Sequence, residues 1–349
     1  MNIHQFAAGF QLGDAISQEM LELKRLLGLQ GYKGTIFAEN VFSFDKKYAN
    51  KIGSAKIKKD DILIYHHSIH SEVLEFILKF PNKKILIYHN VTPEEYFLPY
   101  DLKFSYLLRM GREDLKIINK NFDHFFAVSN FNLQELNENG FFNPKLLPLH
   151  LNFSKWHHLL PKRVKPTQNK INLLFVGRIA PNKRQDDLIR FLRVWKDKYD
   201  IPIKLRMIGF CNPNQESYLD ELSFMIHHLN LLNEVEILPY VNDSLLTQYY
   251  LNSDFFVSMS EHEGFCVPLM EAMFFGLPVL AYAAGAVEET LDGSGLLFKE
   301  KNFDFLCSEL YSIALDHKKL EQILDGQYDR LERFRSKSNI ENLLEAIKS

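Results

Sequence analysis

Short apolar runs alternate with segments of helical period along nearly the whole chain. In the first half, residues 35–38, 62–65, 85–88 and 125–128 are apolar runs without polar alternation. Strands of a parallel sheet covered on both faces need such runs. Between them, 15–27 and 71–79 carry helical periodicity. The second half repeats the scheme, with expected strands at 171–176, 203–208, 235–238, 255–258 and 279–282. After the first of these, Leu188, Phe191, Leu192 and Trp195 form an i, i+3, i+4, i+7 stripe, the apolar face of a helix. Repeated βα units predict an α/β fold of parallel sheets with right-handed crossovers.

The 349 residues suit two domains, at about 150 residues each. Residues 154–169 hold Lys155, Pro161, Lys162, Arg163, Lys165, Pro166 and Asn169 without a clean period, which marks a linker. Domains at 1–155 and 170–330 are expected, with a final segment 331–349. Two Rossmann-like domains joined there would face each other across a cleft, outside the carboxyl ends of the strands, where open α/β sheets bind ligands.

Composition narrows the function. A net charge of −3 and 24% charged residues give no electrostatic case for nucleic acid. Cys211, Cys266 and Cys307 are sparse and far apart, so no zinc ribbon or CxxC pair is available, and a reducing cytoplasm is the expected setting. No basic head followed by an apolar run opens the chain, and no apolar run approaches 18 residues, so neither a leader nor a membrane span is expected.

Two strings carry chemistry. In the first, the strand 171–176 ends at Gly177, with Arg178 and Lys183 on the loop beyond. Glycine allows close backbone approach, and the two cations could clamp a diphosphate beside a helix N-terminus. In the second, Glu263, Gly264, Phe265, Cys266, Pro268 and Glu271 span a strand-to-helix loop and the first turn of a helix. Pro268 suits the first helical residue. Carboxylates at 263 and 271 accept hydrogen bonds from sugar and ribose hydroxyls, and the amides after Gly264 can meet a phosphate. Acidic residues complementing a helix dipole are the plain alternative for Glu271.

Together with Gly285–Thr290, these strings resemble the retaining glycosyltransferase family four, of the GT-B fold. In the first half, the strand leading to His66, the string His89–Pro93 and the string Ala127–Asn130 resemble a branch used in bacterial surface-polysaccharide assembly. The resemblance implies a nucleotide-sugar donor held by the second domain, with Arg178 and Lys183 on the diphosphate and Glu271 on the ribose. Glu263 and the amides of Phe265 and Cys266 would hold the sugar. His89 would stand at the reacting centre, and Gly13 would bring a loop over the phosphates. The first domain would receive a glycan or lipid-linked acceptor, and the last segment would pack back on it. The reaction implied is transfer of a hexose with retained configuration, with mannose from GDP or another hexose from UDP both open. No Asp-x-Asp metal motif occurs, so no metal and no cofactor is expected. Cys266 stands where the family commonly has glycine, and Gly13 lacks the usual second glycine.

His66, His67 and His70 have spacings seen in metal sites. They follow a strand, which places them on a turn and argues against a metal; polar contacts lining the cleft remain open. Lys46, Lys47, Lys51, Lys56, Lys58 and Lys59 read first as a solvated loop. A contact with anionic lipid is the sharper alternative. Residues 102–119, with Phe104, Leu107, Leu108, Arg109, Arg112 and Lys116, could lie on a membrane as an amphipathic helix. The expected location is thus the cytoplasm, with its inner membrane face open as a contact. A sugar-nucleotide epimerase of the same fold and a non-catalytic binding protein remain alternatives.

Overall fold

The computed structural model of the chain describes residues 1–42, 45–156, 169–337 and 340–349. Most of the predicted linker, with His157, His158, Pro161, Lys162, Arg163, Lys165 and Pro166, lies outside them. The chain divides into two compact units. The first comprises Met1–Glu95, Lys103–Lys155 and Ser336–Ser349; the second comprises Tyr96–Leu102 and Trp156–Arg335. The short segment Tyr96–Leu102 thus groups with the second half, where Tyr100 donates to Glu221 at 2.7 Å.

The first unit is built on a seven-stranded parallel sheet. Its strands are β1 (Ile3–Phe10), β2 (Ile36–Val41), β3 (Asn50–Lys51), β4 (Ile62–His67), β5 (Lys84–Tyr88), β6 (His124–Ala127) and β7 (Lys145–Leu146), in the order β3-β2-β1-β4-β5-β6-β7. Helices α1 (Ala15–Leu29), α2 (Glu72–Leu78), α3 (Leu102–Asn121) and α4 (Asn130–Glu138) connect them. The central strand β1 has no bulky apolar run to announce it. Its residues include His4, Gln5, Ala7, Ala8 and Gly9, yet nearly all of it is buried. Tertiary pairing with β2 and β4 overrides the weak local signal.

One expectation needs correction. His66 and His67 are not on a turn; they are the last residues of β4, so they project to opposite faces. In α3, Leu108, Leu115 and Ile118 are buried. Arg112 is bound to Glu135 at 2.7 Å and to the Val91 carbonyl at 2.7 Å. Part of that face is thus used within the protein, while Arg109 and Lys116 are exposed. The lysines at 46, 47, 51, 56, 58 and 59 are all exposed.

The second unit carries a six-stranded parallel sheet of β8 (Ile171–Val176), β9 (Ile203–Ile208), β10 (Val235–Leu238), β11 (Phe255–Ser258), β12 (Val279–Tyr282) and β13 (Leu296–Phe298). The order β10-β9-β8-β11-β12-β13 is the doubly wound pattern. Its direction reverses between β8 and β11, and such reversals open a crevice beyond the strand ends. The helices are α5 (Gln185–Lys198), α6 (Glu216–His228), α7 (Asp243–Leu251), α8 (Val267–Phe274), α9 (Val287–Leu291), α10 (Phe303–Leu315) and α11 (His317–Lys337). The predicted stripe of α5 is buried to the last member, with Leu188, Leu192 and Trp195 at 0% exposure and Phe191 at 1%.

A final helix, α12 (Glu341–Lys348), belongs to the first unit. Leu343 and Ile347 are buried, and the Lys83 ammonium donates to the carbonyls of Ala346 and Ile347 at 3.1 and 3.2 Å. A cation on these last carbonyls satisfies acceptors that the helix cannot. Among the described residues, no helix is long and apolar enough to cross a membrane.

Candidate nucleotide-sugar site

The two predicted strings meet where the second sheet reverses. Gly177–Lys183 follows β8 and the loop to Cys266 follows β11, so both leave the carboxyl ends of adjacent strands. Gly209, after β9, packs against the first loop. A β-carbon there would lie 1.8 Å from the Gly177 carbonyl oxygen, so only glycine permits the approach. Asn182 ties the loops together. Its carbonyl accepts from the Glu261 amide at 2.9 Å, and its side-chain amide donates to the His262 carbonyl at 3.3 Å.

Lys183 and Glu263 form an ion pair, Nζ to Oε1 at 2.7 Å, with both side chains largely buried. The Glu263 charge also acts on the Cys266 thiol. Burial, and then the charge of Glu263, push this thiol well above its ordinary range, so it stays protonated. Arg178 is exposed, and its guanidinium has no partner among the described residues. The amides of Phe265 and Cys266 likewise meet no acceptor among them. One free cation and two free amides therefore sit beside a neutralised cation–carboxylate pair.

Cys266 adopts φ 72° and ψ 67° as the residue before α8, a left-handed conformation that favours glycine. Pro268 falls within the first helical positions. The loop is braced from behind by α9 and the turn before it. Gly285 has φ +56°, and a β-carbon there would come within 2.3 Å of the Glu263 carbonyl oxygen. That oxygen accepts from the Ala286 amide at 2.9 Å, and Thr290 donates to the Phe265 carbonyl.

Glu271 lies inside α8, 9% exposed, and accepts from the Tyr250 hydroxyl at 2.9 Å. Burial, and then Glu271 itself, push the Tyr250 phenol well above its ordinary range, so it remains a donor. Nothing in the sequence pattern singles out Tyr250, because α7 reads as an ordinary helix. A second group anchors the loop bases. Arg184, with φ 51°, pairs with Glu261 at 2.6 Å and Asp186 at 2.9 Å. Lys301 pairs with Glu261 and Asp187, both at 2.7 Å. Arg184 and Glu261 flank the predicted strings; Lys301 carries no sequence signal.

In the first unit, Gly13 has φ 91° in the β1–α1 turn, and Asp14 caps α1 by accepting from the Ser17 amide at 3.1 Å. His89 follows β5, half-buried, with its Nε2 2.9 Å from His66 Nδ1. Burial, then His67, hold its pKa down at about 3. The three predicted histidines of the β4 end diverge: His67 donates to the Gly111 carbonyl at 2.8 Å, and His70 pairs with Asp114 at 2.8 Å. They do not converge on one point.

Comparison with known proteins accords with this geometry. Residues 159–328 match the family described as glycosyl transferases group 1. An uncharacterized glycosyltransferase of Haemophilus influenzae is 30% identical over 152 residues, 43% of this chain and 39% of that protein. A D-inositol 3-phosphate glycosyltransferase of Kineococcus radiotolerans is 30% identical over 128 residues, 35% of this chain and 29% of that protein. These matches thus span well under half of the relatives' length. Among solved structures, Anabaena HepE in complex with UDP and glucose superposes with TM-score 0.73 at 16% identity, covering 96% of each chain. Sucrose-phosphate synthase of Thermosynechococcus elongatus superposes with TM-score 0.72 at 15% identity, covering 100% of this chain and 97% of that one. The chain therefore has the GT-B fold, and every predicted site residue of the second unit falls within the stretch 159–328 that is similar to glycosyl transferases group 1.

Proposed function

We propose that the protein is a retaining glycosyltransferase, moving a hexose from a nucleotide-diphosphate sugar to a hydroxyl of a glycan or lipid-linked acceptor in surface-polysaccharide assembly. The observation that carries this reading is the cluster beyond β8 and β11. A free guanidinium, an ammonium, two unengaged amides and the Glu263 carboxylate lie on adjacent loops at the reversal of a doubly wound sheet, with the Glu271 carboxylate in the helix that follows. That set matches a donor with a diphosphate, a ribose and a sugar.

In this reading the resting Lys183–Glu263 pair opens when donor enters. Lys183 turns to the diphosphate beside Arg178, and Glu263 is released to the sugar hydroxyls with the amides of Phe265 and Cys266. Glu271, oriented by Tyr250, accepts from the ribose. Negative charge grows on the diphosphate as the glycosidic bond breaks, and fixed cations stabilise that state more than the ground state. The departing phosphate oxygen takes the acceptor proton on the same face, which retains configuration. Arg178 and Lys183 supply the charge that a divalent cation supplies elsewhere, so no metal is required. In the first unit, His89 takes the catalytic role and Gly13 the donor-binding role that the family resemblance implies. The setting is the cytoplasm, at or near the inner membrane face.

A thermal-shift panel of nucleotide sugars, followed by a transfer assay with and without chelator, tests the reading. One sugar nucleotide should stabilise the protein, and chelator should leave the rate unchanged. Glu271→Gln should weaken the free nucleoside diphosphate, whereas Glu263→Gln should weaken only the whole sugar nucleotide. Equal losses for both ligands in both variants would contradict that assignment, and silencing by chelator with rescue by Mg²⁺ would remove the metal-free mechanism.

A further inference from the structure

In the first unit, three side chains form a hydrogen-bonded chain with a fixed direction. Gln5 in β1 is 2% exposed and His66 in the adjacent β4 is 1% exposed. The Gln5 side-chain nitrogen donates to the Met20 carbonyl at 2.9 Å. A carbonyl can only accept, so the Gln5 nitrogen must point there, and its oxygen must point the other way. That oxygen lies 2.9 Å from His66 Nε2. An amide oxygen cannot donate, so His66 carries its proton on Nε2. A ring this deeply buried is neutral; His66 Nδ1 is then a bare lone pair. It stands 2.9 Å from His89 Nε2, which must therefore be the donor. The rings lie 26° from parallel, with centroids 5.1 Å apart.

The remaining nitrogen, His89 Nδ1, has no partner among the described residues. His89 as a whole is only half-buried. The His89 backbone is itself pinned. Its amide donates to the His67 carbonyl at 3.0 Å, and the next residue, Asn90, has φ 77° and donates from its side chain to Glu135 at 2.9 Å.

We infer that Gln5 and His66 are positioning residues that lock His89 in its Nε2–H tautomer, so that Nδ1 presents a hydrogen-bond acceptor to a hydroxyl of the sugar or acceptor. This rests on the placement of His89 at the reacting centre proposed above. The second ring nitrogen of a histidine sets what the first can do, and a reversed tautomer would present an N–H where a lone pair is needed. Gln5 touches no substrate in this scheme; its role passes through two rings. Gln5 carries no sequence signal, because a glutamine in β1 looks like an isolated polar interruption of a strand, and the sequence marks His66 only as a general polar contact.

The tautomer is directly measurable in the resting, full-length protein. A two-bond ¹⁵N–¹H correlation spectrum at pH 7.5, assigned with His89→Asn and His66→Asn, reads the protonation of each ring nitrogen. The expected result is a single form for both rings, protonated on Nε2 and bare on Nδ1. A mixture of forms, or a proton on Nδ1 of either ring, would overturn the relay. Gln5→Lys replaces the terminal acceptor with a donor and should reverse both rings to Nδ1–H. Retention of Nε2–H in a folded Gln5→Lys protein would also overturn it. If that variant does not fold, Gln5→Met, which removes the acceptor without offering His66 a donor, should give a mixture of forms at His66; a single unchanged form there would count against the relay. In the transfer assay, Gln5→Lys should lower kcat on the order of 10²-fold with the donor dissociation constant within about twofold of wild type. Reversal of the tautomer with unchanged kcat would leave the relay in place and remove His89 from the reaction.

Discussion

Lys183 rests against Glu263, and this pairing changes what its removal should do. A loop lysine deleted from solvent would cost little stability. Here Lys183→Ala strands a buried carboxylate, and an unpaired buried charge is costly. We therefore expect Lys183→Ala to lower both Tm and turnover, the latter by about 10²–10³. Adding Glu263→Gln should recover much of the Tm and none of the turnover. If the double variant regained turnover, Lys183 would have only a structural role. Arg178→Lys should impair transfer without altering Tm, since Arg178 has no partner to lose and an ammonium cannot reproduce the guanidinium fork. The sequence displayed both residues of the pair as members of motifs. It held no trace of their contact, because that depends on β8 and β11 being sheet neighbours. The buried histidines give a pH signature at the same scale. Burial holds His67 at about 4 and His89 at about 3, and holds His66 well below its ordinary range. An unfolded histidine titrates near about 6.5. The stability these neutral rings contribute is complete above that value and is lost as pH falls from it toward the folded values. Each ring adds a slope of up to about 1.4 kcal/mol per pH unit in that window. Urea unfolding at several pH values should show stability falling from pH 6.5 to 4.5. His67→Gln, which can still donate to Gly111, should make the fall shallower; a flat wild-type profile would contradict the buried, neutral state of these rings.

At the scale of elements, the strand–loop–helix from β11 to α8 was the most legible part of the fold. Its strand is an apolar run, Pro268 marks its helix start, and glycine marks its loop. The unusual member is Cys266, which holds φ 72° with a β-carbon. A left-handed L-residue costs about 1–2 kcal/mol, and glycine in its place costs about 0.5–1 kcal/mol in chain entropy. Cys266→Gly should therefore leave Tm unchanged or slightly raised, while Cys266→Val, stiffened at its branch, should lower it clearly. Equal Tm values for the two variants would show that the backbone there is not strained. By contrast, β1 was illegible. Its buried His4 and Gln5 are satisfied only by residues far along the chain, through Asp61 at 3.3 Å and Met20 at 2.9 Å. Local pattern reports burial of apolar side chains; it cannot report polar groups whose partners arrive from other parts of the fold. The end of β4 was misread for the same reason, with two histidines completing a strand whose apolar run ends at Tyr65.

At the scale of the whole molecule, two compact units each have their own sheet, and the proposed donor groups of Lys183, Glu263 and Glu271 all lie in the second. A ligand stabilises only the species that binds it. Calorimetry should resolve two unfolding events, as multidomain chains commonly do. Nucleotide sugar at 100 times its dissociation constant should stabilise one of them by about 2.7 kcal/mol and leave the other in place. A shift of both by the same amount would indicate that the units unfold together. The division into α/β halves could be read from the repeated runs, since each half repeats the βα grammar. The assignment of α12 to the first unit could not be read that way, because nothing local distinguishes an amphipathic helix that stays with its neighbours from one that returns to a distant sheet. That return has a consequence during synthesis. The ribosome releases every residue of the second unit before it releases α12, so Lys83 waits for its carbonyl partners at Ala346 and Ile347 while the second unit is already free to fold. The half of the protein made first is thus completed last, and a nascent chain stalled before α12 would expose the apolar sites that Leu343 and Ile347 cover.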